Sequence, residues 1–397
     1  MESTATSRAA PTTTPWGTVI CMSLTMFVLI ASEFMPVALL TPIASELGIT
    51  EGQAGQAIAF SGFFAVITAL FGNAMLGRFD RRSVMLFYTA VLVASGIAVT
   101  FAPNYLVFMF GRALIGMSIG GYISLTTAIL ARISAPADLP KALALLQGGS
   151  ALASVLAQPL GSLLGGYVGW RGAFFIVVPL GIVSFLWQVF VLPRVPATGG
   201  VSLANTFGLL RERFFYVGMI AMMLFFVGQF SLSTYLRPYL EFVTLLDVNA
   251  LSAVLLAIGL AGLAGTSVIS FLLGQHLRAV IVGFPVVLAV IAFALIGLAT
   301  YGLAVAGLLL LWGLFTTPMP VAWNAWMTKV VPDRLEAAGA LFVALIQAAI
   351  TLGAFAGGLL YDSAGWWSAF GFSSIAFIGA AVIGIFAARS LPRGMQQ

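Results

Sequence analysis

Apolar residues along the chain form long unbroken runs at roughly 16–40, 53–76, 83–101, 105–130, 141–166, 172–192, 214–240, 249–273, 279–298, 301–325, 337–360 and 367–388, parted by short polar turns. Each run is close to the ~20 residues that a helix needs to cross a hydrocarbon layer about 30 Å thick. Lipid offers no hydrogen-bond partners, so a spanning segment must satisfy its own backbone, and a barrel would instead show ~10-residue stretches of alternating polarity. The pattern predicts an all-α membrane protein with twelve transmembrane helices.

One interruption is longer than the others. Residues 193–213 hold Pro193, Pro196, Gly199 and Gly200, which break any helix. They divide the chain into a bundle of six helices over 16–192, a linker, and a second bundle of six over 214–388, with polar tails at 1–15 and 389–397. The first tail is rich in Ser, Thr, Ala and Pro and reads as disordered. A weak internal repeat supports the division: Gly161, Gly169, Trp170, Ala173 and Phe174 recur 196 residues later as Gly357, Gly365, Trp366, Ala369 and Phe370. Gly77 and Arg81 recur 197 residues later as Gly274 and Arg278. Two like-oriented, pseudo-symmetric bundles are the expected architecture, as in parallel duplications among transporters.

Composition excludes a soluble domain, because 61% of the 397 residues are hydrophobic and 7% charged, against roughly 25% charged in soluble proteins. The net charge of +5 does not point to nucleic acid, since the basic residues lie in small clusters between apolar runs. Fourteen of the seventeen fall on one set of loops. By the positive-inside rule those loops and both termini are expected in the cytoplasm, making this a multi-pass protein of a bacterial inner membrane. Cys21 is the single cysteine and lies in the first run, so no disulfide framework or thiolate metal site is expected. The first run is also too long for a cleavable leader.

Within the runs, charge is rare and therefore informative. Glu33 lies deep in the first run, where an ionised carboxylate costs about 2.5–3.5 kcal/mol at the bilayer centre. Such a residue faces the bundle interior and can take up and release a proton. Arg112, seven residues into the fourth run, cannot shed its charge and needs a carboxylate, carbonyls or water, which makes it a partner for Glu33. In the second bundle, Trp323 and Trp326 stand one turn apart beside Asn324, either as an interfacial belt or as a stacking wall for a planar ligand. Gln229, Thr234, Tyr235, Gln347 and Thr351 add candidate hydrogen bonds to such a ligand. Arg237 and Glu241 are spaced for an ion pair that could act as an outer gate. Pro159 among Gly161 and Gly165 suits close helix approach and a bend. No phosphate loop, metal-spaced Cys/His pair or membrane nucleophile is present, so neither an enzyme nor a cofactor is expected.

The stretches GNAMLGRFDRRSVMLF at 72–87, GRALIGMSIGG at 111–121 and AQPLGSLLGGYVGWR at 157–171 resemble the major facilitator superfamily, and within it the bacterial drug and metabolite proton antiporters. SEFMPVALLTPIASELGITEGQAGQ at 32–56 and the span from Arg112 to Arg171 look similar to the purine ribonucleoside efflux subgroup. The resemblance implies a major facilitator fold and alternating access, with protons and a small molecule as partners and a single chain sufficient for activity. It implies proton coupling at Glu33 with Arg112, and the family's antiporter signature around Pro159. It also implies a gating role for the loop holding Arg78, Asp80, Arg81 and Arg82. That loop departs from the family, which usually has an acidic residue where this chain has Gly77 and a glycine where it has Asp80. The expected function is export of a small polar metabolite, purine nucleosides first, with arabinose-like sugars or hydrophobic drugs as alternatives in the same class. A non-transporting sensor or a membrane-embedded enzyme is the rival from another class.

Overall fold

A computed structural model describes residues 13–72, 76, 79–196, 208–273 and 276–389. The expectations for 1–12, for most of the linker, for Gly77, Arg78 and Gly274, and for 390–397 lie outside the described residues. The secondary structure of the described residues is helical, with no strand among them. The elements are α1 Trp16–Leu47, α2 Glu51–Gly72, α3 Arg81–Thr100 and α4 Tyr105–Ile133, then α5 Leu139–Phe175 and α6 Val177–Val191. The second set is α7 Arg213–Thr234, α8 Val248–Leu273, α9 Leu277–Gly297 and α10 Gly302–Val330, then α11 Leu335–Ala364 and α12 Trp366–Ala388.

Among the described residues, eleven stretches are long and apolar enough to cross a membrane, and one of them, Leu139–Val191, has 53 residues. At 1.5 Å per residue that is about 80 Å, more than twice a bilayer core. It is two crossings. The chain turns inside the stretch labelled α5, at Gly169 (φ 73, ψ 167), so that the residues from Trp170 on run with α6 as the second crossing, and this restores the twelve crossings that the hydrophobic pattern predicts. The internal repeat has the same turn in its second copy, at Gly365 (φ 91, ψ 172). Both positions need a residue without Cβ. The aromatic pair that follows is also repeated: Trp170 meets Phe174 edge-on at 6.3 Å and 85°, and Trp366 meets Phe370 at 6.0 Å and 85°. The duplication read from sequence is therefore a duplication of geometry.

Within the first half α1 packs on α5, α2 on α4 and α3 on α4, while in the second α7 packs on α11 and α12, and α9 on α12. The halves meet along α2 with α11 and α5 with α8. Lipid tails give helices no apolar reason to associate, so close packing must supply it. Gly116 of α4 shows how close: a Cβ there would stand 2.0 Å from the Ser61 carbonyl oxygen of α2. Gly161 and Gly165 present the same kind of small surface, toward Met35 and Leu39 of α1. Pro159 is buried within α5.

α1 is not the plain helix that its apolar run suggests. It passes through a 3-10 segment at Met35–Leu39 before resuming at Leu40–Leu47. Pro36 is the cause, since it can neither donate to the carbonyl four residues back nor avoid crowding it.

Candidate functional site

The break in α1 creates the site. Without an N–H on Pro36, the Ser32 carbonyl has no helical i+4 donor, and it lies in the apolar interior. Arg112 Nη1 donates to it at 3.0 Å. The same guanidinium donates from Nη2 to the Glu33 carbonyl at 3.3 Å and to Ser61 Oγ at 3.0 Å, and from Nε to the Ala57 carbonyl at 3.2 Å. Arg112 is 1% exposed and thus a permanent buried cation surrounded by oxygens of α1 and α2. Sequence reasoning placed Arg112 opposite the Glu33 carboxylate. The structure has it beside Glu33 but bonded to main chain, and among the described residues no ion pair joins the two.

The Glu33 carboxylate, on a residue 3% exposed, instead accepts from Gln347 Nε2 at 3.4 Å. Gln347 belongs to α11, so this contact crosses from one half to the other. The next residue crosses as well: Phe34 stacks on Phe230 of α7 at 6.0 Å and 16°. Gln229, adjacent to Phe230, keeps a buried Oε1 with no protein partner. Glu33, Gln347 and the Phe34–Phe230 pair therefore bring together a carboxylate, an amide and two rings from both halves. Such a set can exchange a proton at Glu33 and offer acceptors to a polar ligand.

Above this centre the halves are sealed at the end opposite the basic loops. Thr50 caps the N-terminus of α2, and its hydroxyl donates to Asp362 of α11 at 2.6 Å, while Gly52 N donates to the same carboxylate at 3.0 Å. Tyr235 lies between α2 and α11, its hydroxyl donating to the Ala354 carbonyl at 2.8 Å and its ring stacked on Tyr361 at 5.2 Å. A Cβ on Gly55 would lie 2.1 Å from that hydroxyl oxygen. Ser252 donates to Ser162 across α8 and α5 at 2.9 Å. The Arg237–Glu241 pair forms as the spacing predicts, at 3.3 Å, and Arg237 also donates to the Ala38 carbonyl of α1.

Other predicted residues lie elsewhere. Trp323 and Trp326 are fully buried inside the second half and make no stacking wall for a ligand. Trp326 stacks on Phe215 and donates to the Ala387 carbonyl at 3.2 Å, and a Cβ on Gly218 would touch its ring. Amphipathic tryptophans at that register satisfy helix packing rather than an interface. Asn324 is exposed on the far face, donating to the Pro320 carbonyl of its own helix. Thr351 donates to the Gln347 carbonyl beside Gly62 of α2, and the Thr234 hydroxyl is buried without a partner. At the basic end, Asp80 accepts from Val195 N at 2.9 Å, Arg81 N donates to the Val195 carbonyl at 3.0 Å, and Arg82 reaches the Val189 carbonyl. That loop thus binds the end of α6 and the segment after it.

Sequence reasoning missed Asp362, Thr50, Ser61 and Gln188. Asp362 had a visible signal, an acid at the end of an apolar run. Gln188 had another, an amide deep in the sixth run. Fully buried, it donates to Thr25 Oγ1 at 2.8 Å and to Tyr122 at 3.4 Å, and it accepts from Thr89 at 3.1 Å.

The family model of the Major Facilitator Superfamily matches residues 22–342. The chain belongs to that superfamily. A protein of Pseudomonas aeruginosa named transcription regulatory protein OpdE is 46% identical over 94% of each chain. The purine ribonucleoside efflux pump NepI of Shigella sonnei is 35% identical over 93% of each chain, and that of Escherichia coli K12 is 36% identical over 88% of each. Among solved structures, a bacterial homolog of the human lysosomal transporter Spinster, inward-facing and unoccupied, matches with a TM-score of 0.80 at 13% identity over 96% of this chain and 98% of that one. The human organic anion transporter MFSD10 matches with a TM-score of 0.66 at 17% identity over 93% and 99%. At such identities the structural likeness shows the major facilitator fold alone. As a member of this superfamily the chain is a multi-pass membrane transporter of small molecules, and not an enzyme.

Proposed function

We propose that this transporter exports a small polar metabolite, purine nucleosides in the first place, in exchange for protons. The observation that carries the reading is the buried Glu33 bonded across the two halves to Gln347. A group that must be neutral when buried and charged when hydrated can alternate between proton and substrate, provided that both sides of the membrane reach it in turn. The 35% identity to a purine ribonucleoside efflux pump over nearly the whole chain supports the substrate class. Orientation follows from the basic loops, which the positive-inside rule assigns to the cytoplasm. On that assignment the sealed end is the outer one and the chain faces inward. The two halves then rock about the fixed centre to release substrate outside, and one chain suffices.

Purified protein in liposomes with an imposed pH gradient tests this reading. Accumulation of labelled inosine or guanosine that collapses with the gradient is the expected result. Movement of arabinose without competition from nucleosides would overturn the substrate class, and nucleoside flux indifferent to the gradient would overturn the coupling. A second reading, transmission of a regulatory signal, is favoured by the likeness to a protein named a transcription regulator. It predicts altered gene expression from a variant that transports normally.

A further inference from the structure

α1 carries a second proline whose consequence parallels that of Pro36. Pro42 is the residue that would donate to the Ala38 carbonyl in a regular helix, and it has no N–H to give. Ala38 is fully buried, so its carbonyl oxygen is an acceptor without a helical i+4 donor in an apolar interior. Nη1 of Arg237, in the short turn Leu236–Pro238 that follows α7, donates to it. The two prolines, six residues apart, thus leave two orphaned carbonyls, and each takes an arginine. Ser32 takes Arg112 from its own half, and Ala38 takes Arg237 from the other. The first contact persists whatever the halves do. The second exists only while they are together at this end.

We infer that the Pro42-orphaned carbonyl of Ala38 is a main-chain socket for Arg237, and that filling it holds the arm of α1 from Met35 to Leu47 against the second half, keeping this end of the transporter shut. Arg237 is a positioning residue in this account. It is 4% exposed, and Glu241 one turn on fixes the guanidinium at 3.3 Å. A guanidinium suits the socket because its fork serves the carboxylate and the carbonyl together, which an ammonium on a flexible stem does less well. When the halves part, Arg237 keeps Glu241 and meets water, while the Ala38 carbonyl is hydrated through the opening. A residue with an N–H at position 42 would bond the same carbonyl, which would then divide its two lone pairs between that N–H and Arg237 and hold the guanidinium less tightly.

The inference rests on alternating access, and the test separates the two. Spin labels at exposed Ser45 and Asn249, in a Cys21→Ala background, report the distance between α1 and α8 at this end in liposomes. If the parent protein shows a single distance with and without substrate and across pH, alternating access is wrong. If two distances appear, Arg237→Met and Pro42→Ala should each lower the short-to-long ratio by about tenfold, the scale of one hydrogen bond to a charged group. Pro42→Ala adds a helix bond and a good helix former, so its effect is not a folding defect. The double variant should shift little beyond either single one, because both act on the same contact. Additive shifts, or no shift in Pro42→Ala, would overturn the socket.

Discussion

The two halves share a backbone plan down to the glycine turn and the edge-on Trp–Phe pair, yet their interiors are built from different chemistry. The first half buries charge and a polar network. Glu33 and Arg112 are both nearly inaccessible, and Gln188 of α6 joins Thr25 of α1, Thr89 of α3 and Tyr122 of α4. The second half buries hydroxyls against carbonyls instead: Ser231 on Ala369, Ser373 on Gly228, Ser374 on Ala289 and Tyr239 on Leu295. Aromatic contacts such as Phe225 with Phe377 at 5.2 Å and Trp312 with Phe377 at 5.5 Å fill the rest. Its buried charge among the described residues is Arg237, at the sealed end. A duplicated fold therefore does not require a duplicated function. One half supplies an ionisable centre and a rigid frame for it, and the other supplies neutral amides and a face to close against.

The largest expected effect is on Arg112. Arg112→Leu removes a buried guanidinium bonded to four oxygens and leaves the Ser32 carbonyl unpaired in the apolar interior, and each buried acceptor so stranded costs about 1–3 kcal/mol. The variant should be recovered in much lower yield and unfold at lower temperature in detergent, with no measurable transport. Gln229→Leu removes an amide oxygen that has no protein partner, so its thermal stability should stay level or rise. Equal destabilisation by the two would erase the distinction between the halves.

A smaller effect sharpens the same contrast. Bonds between membrane helices average about 0.6 kcal/mol and reach about 1.7. Gln188→Leu removes several at once and should cost about 1–3 kcal/mol, whereas Ser373→Ala removes one and should cost about 0.6. Denaturant or thermal unfolding of both variants, measured side by side, checks the ratio.

Most of the fold was legible in the sequence because lipid imposes a simple rule: long apolar runs become helices. The turn around Gly169 was legible too, as the break between the apolar runs 141–166 and 172–192. The burial of the candidate site was legible where charge in an apolar run is costly, since Glu33 and Arg112 both lie in the interior. It was not legible where a residue type has two common uses. Trp323 and Trp326 are amphipathic enough for an interface or a ligand wall, and only the contact with Gly218 and Phe215 shows that they fill a core. Arg112 paired by sequence logic with the nearest carboxylate, because the sequence gives no direct view of an orphaned carbonyl. Pro36 held that information, and reading it required knowing which oxygens the break exposes.

The central claim is that a single ionisable group in the first half couples the proton gradient to movement of both. Glu33→Gln keeps the size of the side chain and its acceptor oxygen but cannot change charge. In liposomes loaded with labelled nucleoside, the variant should still exchange substrate down its own gradient, at a rate that no longer depends on pH. It should fail to accumulate substrate against a gradient when a proton gradient is imposed. Uphill accumulation by Glu33→Gln at the parent rate, with the parent response to pH, would contradict the account and leave the coupling group to be found elsewhere.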